Sequence, residues 1–381
     1  MMKTEFDKIY REIEHQAEKH LPANVFEALR REPDRQLIIY GAGGNCQSAL
    51  YTSFYMGVTA VAICDSKVQG TYIYHRTNQD TTEFAVISPN QLINEYKTAF
   101  VLISTWNYED EIRNFLIDAG FPENQIFRYR APDNIPAAEF REKYLDGYRW
   151  AYTYFPDEIS RRNIVKRIRR LVLREACPAD SSYWDGYWGY PDIPYSQGEV
   201  YVDAGAYIGD TTEEFIQAIK SAGKSYSHIY AFEPAPSNFK IAGKRLKRYD
   251  NVDLFPSGLW DTSGTLSFHE SSTDDYITSR LTENSGGVTV PVTALDSLFK
   301  DKPAEDWPTL IKMDIEGAEK EALLGAAEII KQKKPKLIIC AYHKPEDIYE
   351  LPRTILKLRA DYKLSLWQIG DGFWDMVLYG V

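Results

Sequence analysis

Cysteine is scarce in this sequence, and the four that occur, Cys46, Cys64, Cys177 and Cys340, form no C-x-x-C pair; only Cys340 has a histidine close by, the single His343. That argues against a disulfide-stapled scaffold and against a sequence-local metal site, so no metal is expected, and the thiols read as reduced core residues of a cytoplasmic protein. Positive charge is also in deficit. Lys and Arg number 44 against 55 Asp and Glu, a net charge of −11, which repels phosphate backbones and disfavours a dedicated nucleic-acid binder. No apolar run reaches the ~18 residues of a membrane span, and from the polar, mixed-charge stretch Met1 to Arg11 no secretion signal is expected. Internal repeats of roughly 20 to 50 residues, the mark of solenoids and propellers, are missing too. What remains is 381 residues, 44% apolar and 26% charged, an ordinary globular composition.

The pattern predicts an α/β protein with two Rossmann-like domains. Phe6, Ile9, Tyr10 and Ile13, then Val25, Phe26 and Leu29, stand at helical spacing. A buried strand at Gln36 to Tyr40 runs into Gly41-Ala42-Gly43-Gly44 and a helical stretch to Tyr55. Val58 to Cys64, ending on Asp65, and Phe100 to Ile103 read as further strands. Between them Ser88-Pro89-Asn90-Gln91 offers an N-cap, a proline at the first helical position and a capping-box partner. Strands alternating with helices imply a parallel sheet.

Residues 136–198 lack strand patterning and are expected to link an accessory domain at 1–135 to a second domain at 199–381. Here Ile164, Ile168, Leu171 and Val172 form a stripe surrounded by Arg161, Arg162, Lys166, Arg167, Arg169 and Arg170. An anion-binding helix is one reading; an amphipathic helix with a solvated basic face is the favoured one. Tyr183, Trp184, Tyr187, Trp188, Tyr190 and Tyr195 crowd together just after it. They could cover a reaction site, yet interdomain packing is the more ordinary use of such rings.

The second half repeats the strand-then-glycine order more strongly. Glu199 to Asp203 leads into Ala204-Gly205-Ala206-Tyr207-Ile208-Gly209-Asp210-Thr211 and a helix. Further strands are expected at Ile229 to Phe232, Val252 to Phe255, Leu310 to Met313, Leu337 to Ala341, Leu364 to Gln368 and Trp374 to Tyr379. Only Gly370-Asp371-Gly372 separates Ile369 from Phe373, too short for a crossover helix, so the last two strands must form an antiparallel hairpin. A seven-stranded, mostly parallel sheet closed by such a hairpin is the layout of class I methyltransferases.

Ligands of these sheets bind where strands end, and Asp203, Glu233, Asp314 and His343 stand at or just beyond strand ends. Gly205 and Gly209 would allow a ligand close to the backbone, and their spacing is not that of a dinucleotide fingerprint. One carboxylate can accept from both hydroxyls of a ribose, which makes Glu233 either an adenosine ligand or a helix-capping acid; beside Asp203, Gly205 and Gly209 the first is favoured.

Val202 to Asp210, Phe232-Glu233-Pro234, Leu295 to Leu298 and Ile311 to Glu319 together resemble the successive blocks of FkbM-type S-adenosylmethionine (SAM)-dependent methyltransferases. The resemblance covers about residues 199–381. It implies that SAM is held by Asp203, Ala204, Gly205, Ala206, Tyr207, Gly209, Asp210, Thr211, Glu233 and Pro234, with Gly258, Leu259 and Asp261 near the adenine. It also implies O-methylation of a hydroxyl on a small molecule, sugar or glycan, with Asp314 beside the reacting centre. Many members place an acid ahead of the histidine after the fifth strand; here Ala341-Tyr342 precede His343. Glu316 and His343 complete the candidate catalytic set. Asp314 is expected to position the acceptor, and His343 to act as base because a free imidazole is half-neutral near physiological pH. Competing readings make His343 the cap of a helix beginning at Pro345, Asp314 a holder of the SAM amino group, and Lys312 a partner of either acid.

The first half resembles the small Rossmann-like domains of sugar-modifying enzymes, with Cys46 where a dinucleotide fold has its third glycine. The other functional classes are therefore an NAD(P)- or nucleotide-sugar-binding enzyme acting through this half, and a non-catalytic SAM-binding module. The expected partner is a small-molecule or carbohydrate acceptor, with neither nucleic acid nor membrane, and a homodimer is compatible with the chain.

Overall fold

The computed structural model describes residues 5–18, 25–77, 80–105, 108–129, 135, 137–173, 186–190, 193–269, 280–282, 288–369 and 376–381. The chain divides into two compact units, Met1–Glu142 with Ile168–Ala176, and Lys143–Arg167 with Cys177–Val381. No described helix is long and apolar enough to cross a membrane.

The first unit opens with helices Glu5–Glu18 and Val25–Arg31, which bury Phe6, Ile9, Ile13, Val25, Phe26 and Leu29 as their spacing requires. Its strands are β1 (Leu37–Tyr40), β2 (Ala62–Cys64), β3 (Gly70–Thr77), β4 (Asp80–Ile87), β5 (Phe100–Ile103) and β6 (Ile126–Arg128), in spatial order β3-β4-β2-β1-β5-β6. β1 pairs in parallel with β2 and β5, and being buried throughout it reads as an unbroken apolar run. Between β4 and β5, the Ser88 hydroxyl accepts from the Gln91 amide at 3.1 Å and caps helix Pro89–Glu95. β3 and β4 form an antiparallel hairpin that the strand-helix alternation did not predict. In the turn after β1, Asp65 Oδ2 accepts from the Ala42 amide at 2.8 Å and Oδ1 from the amides of Lys67 and Val68. Its carboxylate therefore fixes the glycine turn. Cys46 is fully buried in the apolar core behind that turn.

The second unit holds β7 (Glu199–Ala204), β8 (Tyr226–Phe232), β9 (Val252–Phe255), β10 (Gly258–Leu259), β11 (Gly264–His269), β12 (Arg280–Thr282), β13 (Val288–Thr293), β14 (Leu310–Met313), β15 (Lys336–Cys340), β16 (Leu364–Gln368) and β17 (Met376–Gly380). Its main sheet has seven strands in the order β16-β17-β15-β14-β7-β8-β9. β17 runs antiparallel to both neighbours, as the short spacer demanded; the spacer itself, Gly370 to Gly372, lies outside the described residues. A second sheet, β10-β13-β11-β12, was not expected. Tyr183, Trp184 and Cys177, and most of the stretch from His269 to Gly287, also fall outside the described residues.

The part of helix Glu158–Ile168 that belongs to the second unit, up to Arg167, departs from the reading of a solvated basic face. Arg167 is 2% exposed, and its Nη2 donates to the Tyr342 carbonyl at 2.7 Å. The nearby Asn163 amide donates to the Leu366 carbonyl at 3.0 Å. Arg167 and Asn163 thus face protein and each donates to a backbone carbonyl, so this part of the helix is a packing surface.

Candidate active site at the carboxyl ends of the central strands

β7 pairs with β14 on one side and β8 on the other, so the order reverses at β7, the place where open sheets leave a crevice beyond the strand ends. Three acids arrive there: Asp203 on β7, Glu233 after β8 and Asp314 after β14. They do different things.

Asp203 faces inward and is fully buried. Its Oδ2 accepts from the hydroxyls of Thr211 at 2.8 Å and Thr212 at 2.6 Å, and Oδ1 lies 3.2 Å from Nζ of the equally buried Lys312. Lys312 also donates to the Gly205 carbonyl at 2.9 Å. Burial alone would push the ammonium down, but the charges of Asp203 and Asp314 outweigh it and raise it. Asp203 thus organises the loop from inside the protein, tying the start of helix Asp210–Ser221 to the sheet.

The glycines in that loop answer to packing as well as to any ligand. Gly205 has φ +76°, and a Cβ there would lie 1.9 Å from the Asp314 carbonyl oxygen; at Gly209, with φ +84°, a Cβ would lie 3.0 Å from Leu246 Cγ. Ala204 and Ala206 are buried, Asp210 and Thr211 are half-buried at the helix start, and Tyr207 is exposed with φ 48°.

The Tyr207 amide donates to Glu233 Oε2 at 2.9 Å, and the Ala235 amide to Oε1 at 2.8 Å. Each oxygen keeps further acceptor capacity, which suits a vicinal diol. Burial pushes the Glu233 carboxyl up to about 7, against the pull of its backbone donors. Pro234, beside it, is half-buried. Gly258 and Leu259 form β10 and are buried, while Asp261 is exposed and accepts from the Thr262 hydroxyl at 2.8 Å.

Asp314 is the partly open acid, its side chain 24% exposed. Oδ2 accepts from the Tyr187 hydroxyl at 2.7 Å and Oδ1 from the Tyr342 hydroxyl at 3.1 Å. Burial pushes its carboxyl up, but the charges of Lys312 and His343 and the Tyr187 hydroxyl hold it below the usual carboxylate range. Tyr187 therefore combines a site contact with packing, whereas Trp188 and Tyr190 pack on the sheet of their own unit, against Tyr201 of β7 and Tyr379 of β17.

His343 lies among three carboxylates. Nδ1 is 3.0 Å from Glu319 Oε1, and Nε2 is 3.4 Å from Asp314 Oδ1 and 3.3 Å from Glu316 Oε2. Burial favours the neutral ring, yet these acids outweigh it and raise its pKa to about 10. These acids favour the protonated ring, which weighs against the expected role of His343 as base. Nor does it cap a helix, since the following one is Asp347–Leu358 and Asp347 itself accepts from the Lys344 amide at 2.7 Å. The sequence reading gave no role to Glu319. Its place three residues after Glu316, in the same strand-end block, was the available signal.

The family model of the methyltransferase FkbM domain matches residues 203–364, the segment that carries all of these groups. This segment is a methyltransferase FkbM domain. The 2-O-methyltransferase NoeI of Sinorhizobium fredii is 24% identical to this chain over 186 residues, spanning 43% of this chain and 72% of NoeI. The hexuronic acid methyltransferase AglP of Haloferax volcanii is 27% identical over 176 residues, 44% of this chain and 64% of AglP. A solved structure of a methyltransferase FkbM from Methylobacillus flagellatus KT shares the fold across 99% of both chains, with a TM-score of 0.70 at 19% identity. The FkbM domain makes the protein a SAM-dependent methyltransferase. Glu233, with both oxygens at the switch point and acceptor capacity to spare, fits the nucleoside of that cofactor.

Proposed function

We propose that this enzyme transfers a methyl group from SAM to a hydroxyl of a carbohydrate. The observation that carries the reading is the pairing of Glu233 and Asp314 on either side of the β7 glycine loop. One is a carboxylate with two oxygens for a diol, the other a partly open carboxylate held ionised by Lys312 and His343. The names of the relatives, an O-methyltransferase and a methyltransferase of hexuronic acid, support a sugar hydroxyl as acceptor.

Bound SAM would supply an electrophilic methyl group, whose bond to sulfur breaks as its bond to the acceptor oxygen forms, leaving S-adenosylhomocysteine. Glu233 accepts from the ribose hydroxyls, and the loop from Ala204 to Thr211, with Pro234, shapes the pocket around them; Gly258, Leu259 and Asp261 belong to the adenine side of this reading. Asp203 acts through Lys312, Thr211 and Thr212, holding the loop. Asp314 accepts a hydrogen bond from the acceptor hydroxyl, orients its oxygen toward the methyl group and receives the proton as the new C–O bond forms, with Glu316 as the next carboxylate outward. Orientation supplies most of the acceleration in such a displacement. His343 takes the role of a positioning residue that keeps Asp314 ionised.

The first unit, with Asp65 committed to its own turn and Cys46 in the core, fits acceptor recognition better than cofactor chemistry. We include a cytoplasmic setting, supported by the buried free thiols of Cys46, Cys64 and Cys340, and a homodimer that sedimentation would test.

Calorimetry with SAM is the direct test. Removing the Glu233 carboxylate in Glu233→Ala, a loss of about 1.5–3 kcal/mol in charge-assisted hydrogen bonding, should weaken binding by about 10- to 100-fold. Unchanged affinity would reject the assignment. Transfer of labelled methyl from SAM to uronic acids and neutral sugars would then define the acceptor.

A further inference from the structure

Asp314, Glu319 and His343 reach one point from three elements: the end of β14, the first turn of helix Glu319–Leu324 and the segment after β15. Each brings a donor atom of the kind that binds metals, all within 4.8 Å of one another. The imidazole side chain is 7% exposed and that of Glu319 1%. Although ion-pair distances separate them, neither ring nitrogen of His343 makes an aligned hydrogen bond, and Glu319 Oε2 makes none. Buried polar atoms are normally satisfied, so three orphan atoms around one point call for a partner that needs no donor-acceptor line.

The charge balance points the same way. Asp314, Glu316 and Glu319 stand around a single imidazole, and Lys312, whose ammonium lies 3.2 Å from Asp203, is shared between that acid and Asp314.

We infer that Asp314, Glu319 and His343 bind a divalent cation. One imidazole nitrogen with carboxylate oxygens suits borderline to hard ions such as Zn²⁺ or Mn²⁺ and not the soft ions that thiolates select. Asp314 and Glu316 are 24% and 32% exposed, so the site is open on that side to water or to an acceptor hydroxyl. The role of the ion beside the hydroxyl rests on the methyltransferase reading above; its binding does not.

The experiment uses the full chain, stripped of metal with EDTA and titrated with Mn²⁺, the free ion being followed by electron paramagnetic resonance. One strong site per chain is expected, weakened by about 10- to 100-fold or more in Glu319→Gln and in His343→Gln. No strong site, or equal affinity in the wild type and both variants, overturns the inference. SAM calorimetry on the same samples separates the two readings. Normal SAM binding without a Mn²⁺ site removes only the cation, and a Mn²⁺ site without SAM binding removes only the cofactor assignment. Should circular dichroism show both variants unfolded, nuclear magnetic resonance of the wild type decides: substoichiometric Mn²⁺ must broaden the His343 ring signals, and sharp signals overturn the site.

Discussion

Gly205 lies so close to Asp314 that a single added carbon would collide with its neighbour's backbone: a Cβ at Gly205 would sit 1.9 Å from the Asp314 carbonyl oxygen. The glycine loop and the strand end with the partly open acid are therefore one mechanical unit. Gly205→Ala adds a backbone conformation at φ +76° that L-residues avoid and a clash with main chain, together costing about 2–4 kcal/mol. We expect lower resistance to denaturant and loss of SAM affinity together. An alanine variant with wild-type stability and binding would show that the two segments move independently.

Lys312 and Asp203 form a fully buried ion pair. Removing only one partner leaves a charge without compensation, which costs about 3–5 kcal/mol. Lys312→Met should be strongly destabilised, and the double variant Lys312→Met with Asp203→Asn less so than Lys312→Met alone. Denaturant titration of the four proteins measures the coupling. Additive losses would mean that the pair does not act as a pair.

Much of this architecture was legible because buried parallel strands leave a simple trace. The apolar run ending at Asp203, followed at once by Gly205 and Gly209, identified β7 and its loop, and the spacer after Ile369 required β17 to turn back. The hairpin of β3 and β4 went unread although Tyr74 and Phe84 face the core while Ile73 is exposed; its alternation needed to be weighed against the helix-strand rhythm around it. In the small sheet, β10 and β12 have two and three residues, below what periodicity can register, while the six-residue β11 and β13 carry no glycine-loop signal to mark them. For His343, residue type suggested a base, but its charge state depends on where Glu316 and Glu319 are turned. Glu316, at φ 58°, and Gly317, at φ 94°, bend the chain so that three acids face one ring, and no spacing rule encodes that.

Glu233 gives SAM binding a pH dependence. Its carboxyl titrates near 7, above its ordinary 4.5, chiefly through burial. A raised carboxyl favours the protonated folded state, so this group's contribution to stability is present below about 4.5 and is lost as pH rises through about 7. Ribose hydroxyls donate best to the ionised form. SAM affinity should therefore rise with pH, by up to about tenfold per unit below 7, and level off above it. Glu233→Gln should bind more weakly and show a flatter profile. Calorimetry from pH 5.5 to 8.5 checks both, and a flat wild-type profile would contradict the assignment.

Tyr187 and Tyr342 each give a hydroxyl to one oxygen of Asp314. These bonds fix the plane of the carboxylate and so the direction in which it meets an acceptor. Each is a hydrogen bond to a charged group, worth about 1.5–3 kcal/mol. If orientation of Asp314 matters mainly while the methyl group is in flight, Tyr187→Phe and Tyr342→Phe should lower kcat by about tenfold or more and leave SAM affinity unchanged. Tyr187 has the shorter bond, and its ring also lies over the Lys312 ammonium, 5.3 Å from Nζ to the ring centre. The phenylalanine keeps that ring contact, so any loss belongs to the hydroxyl. A variant that weakens SAM binding and spares kcat would instead assign Asp314 to the cofactor, as a holder of its amino group.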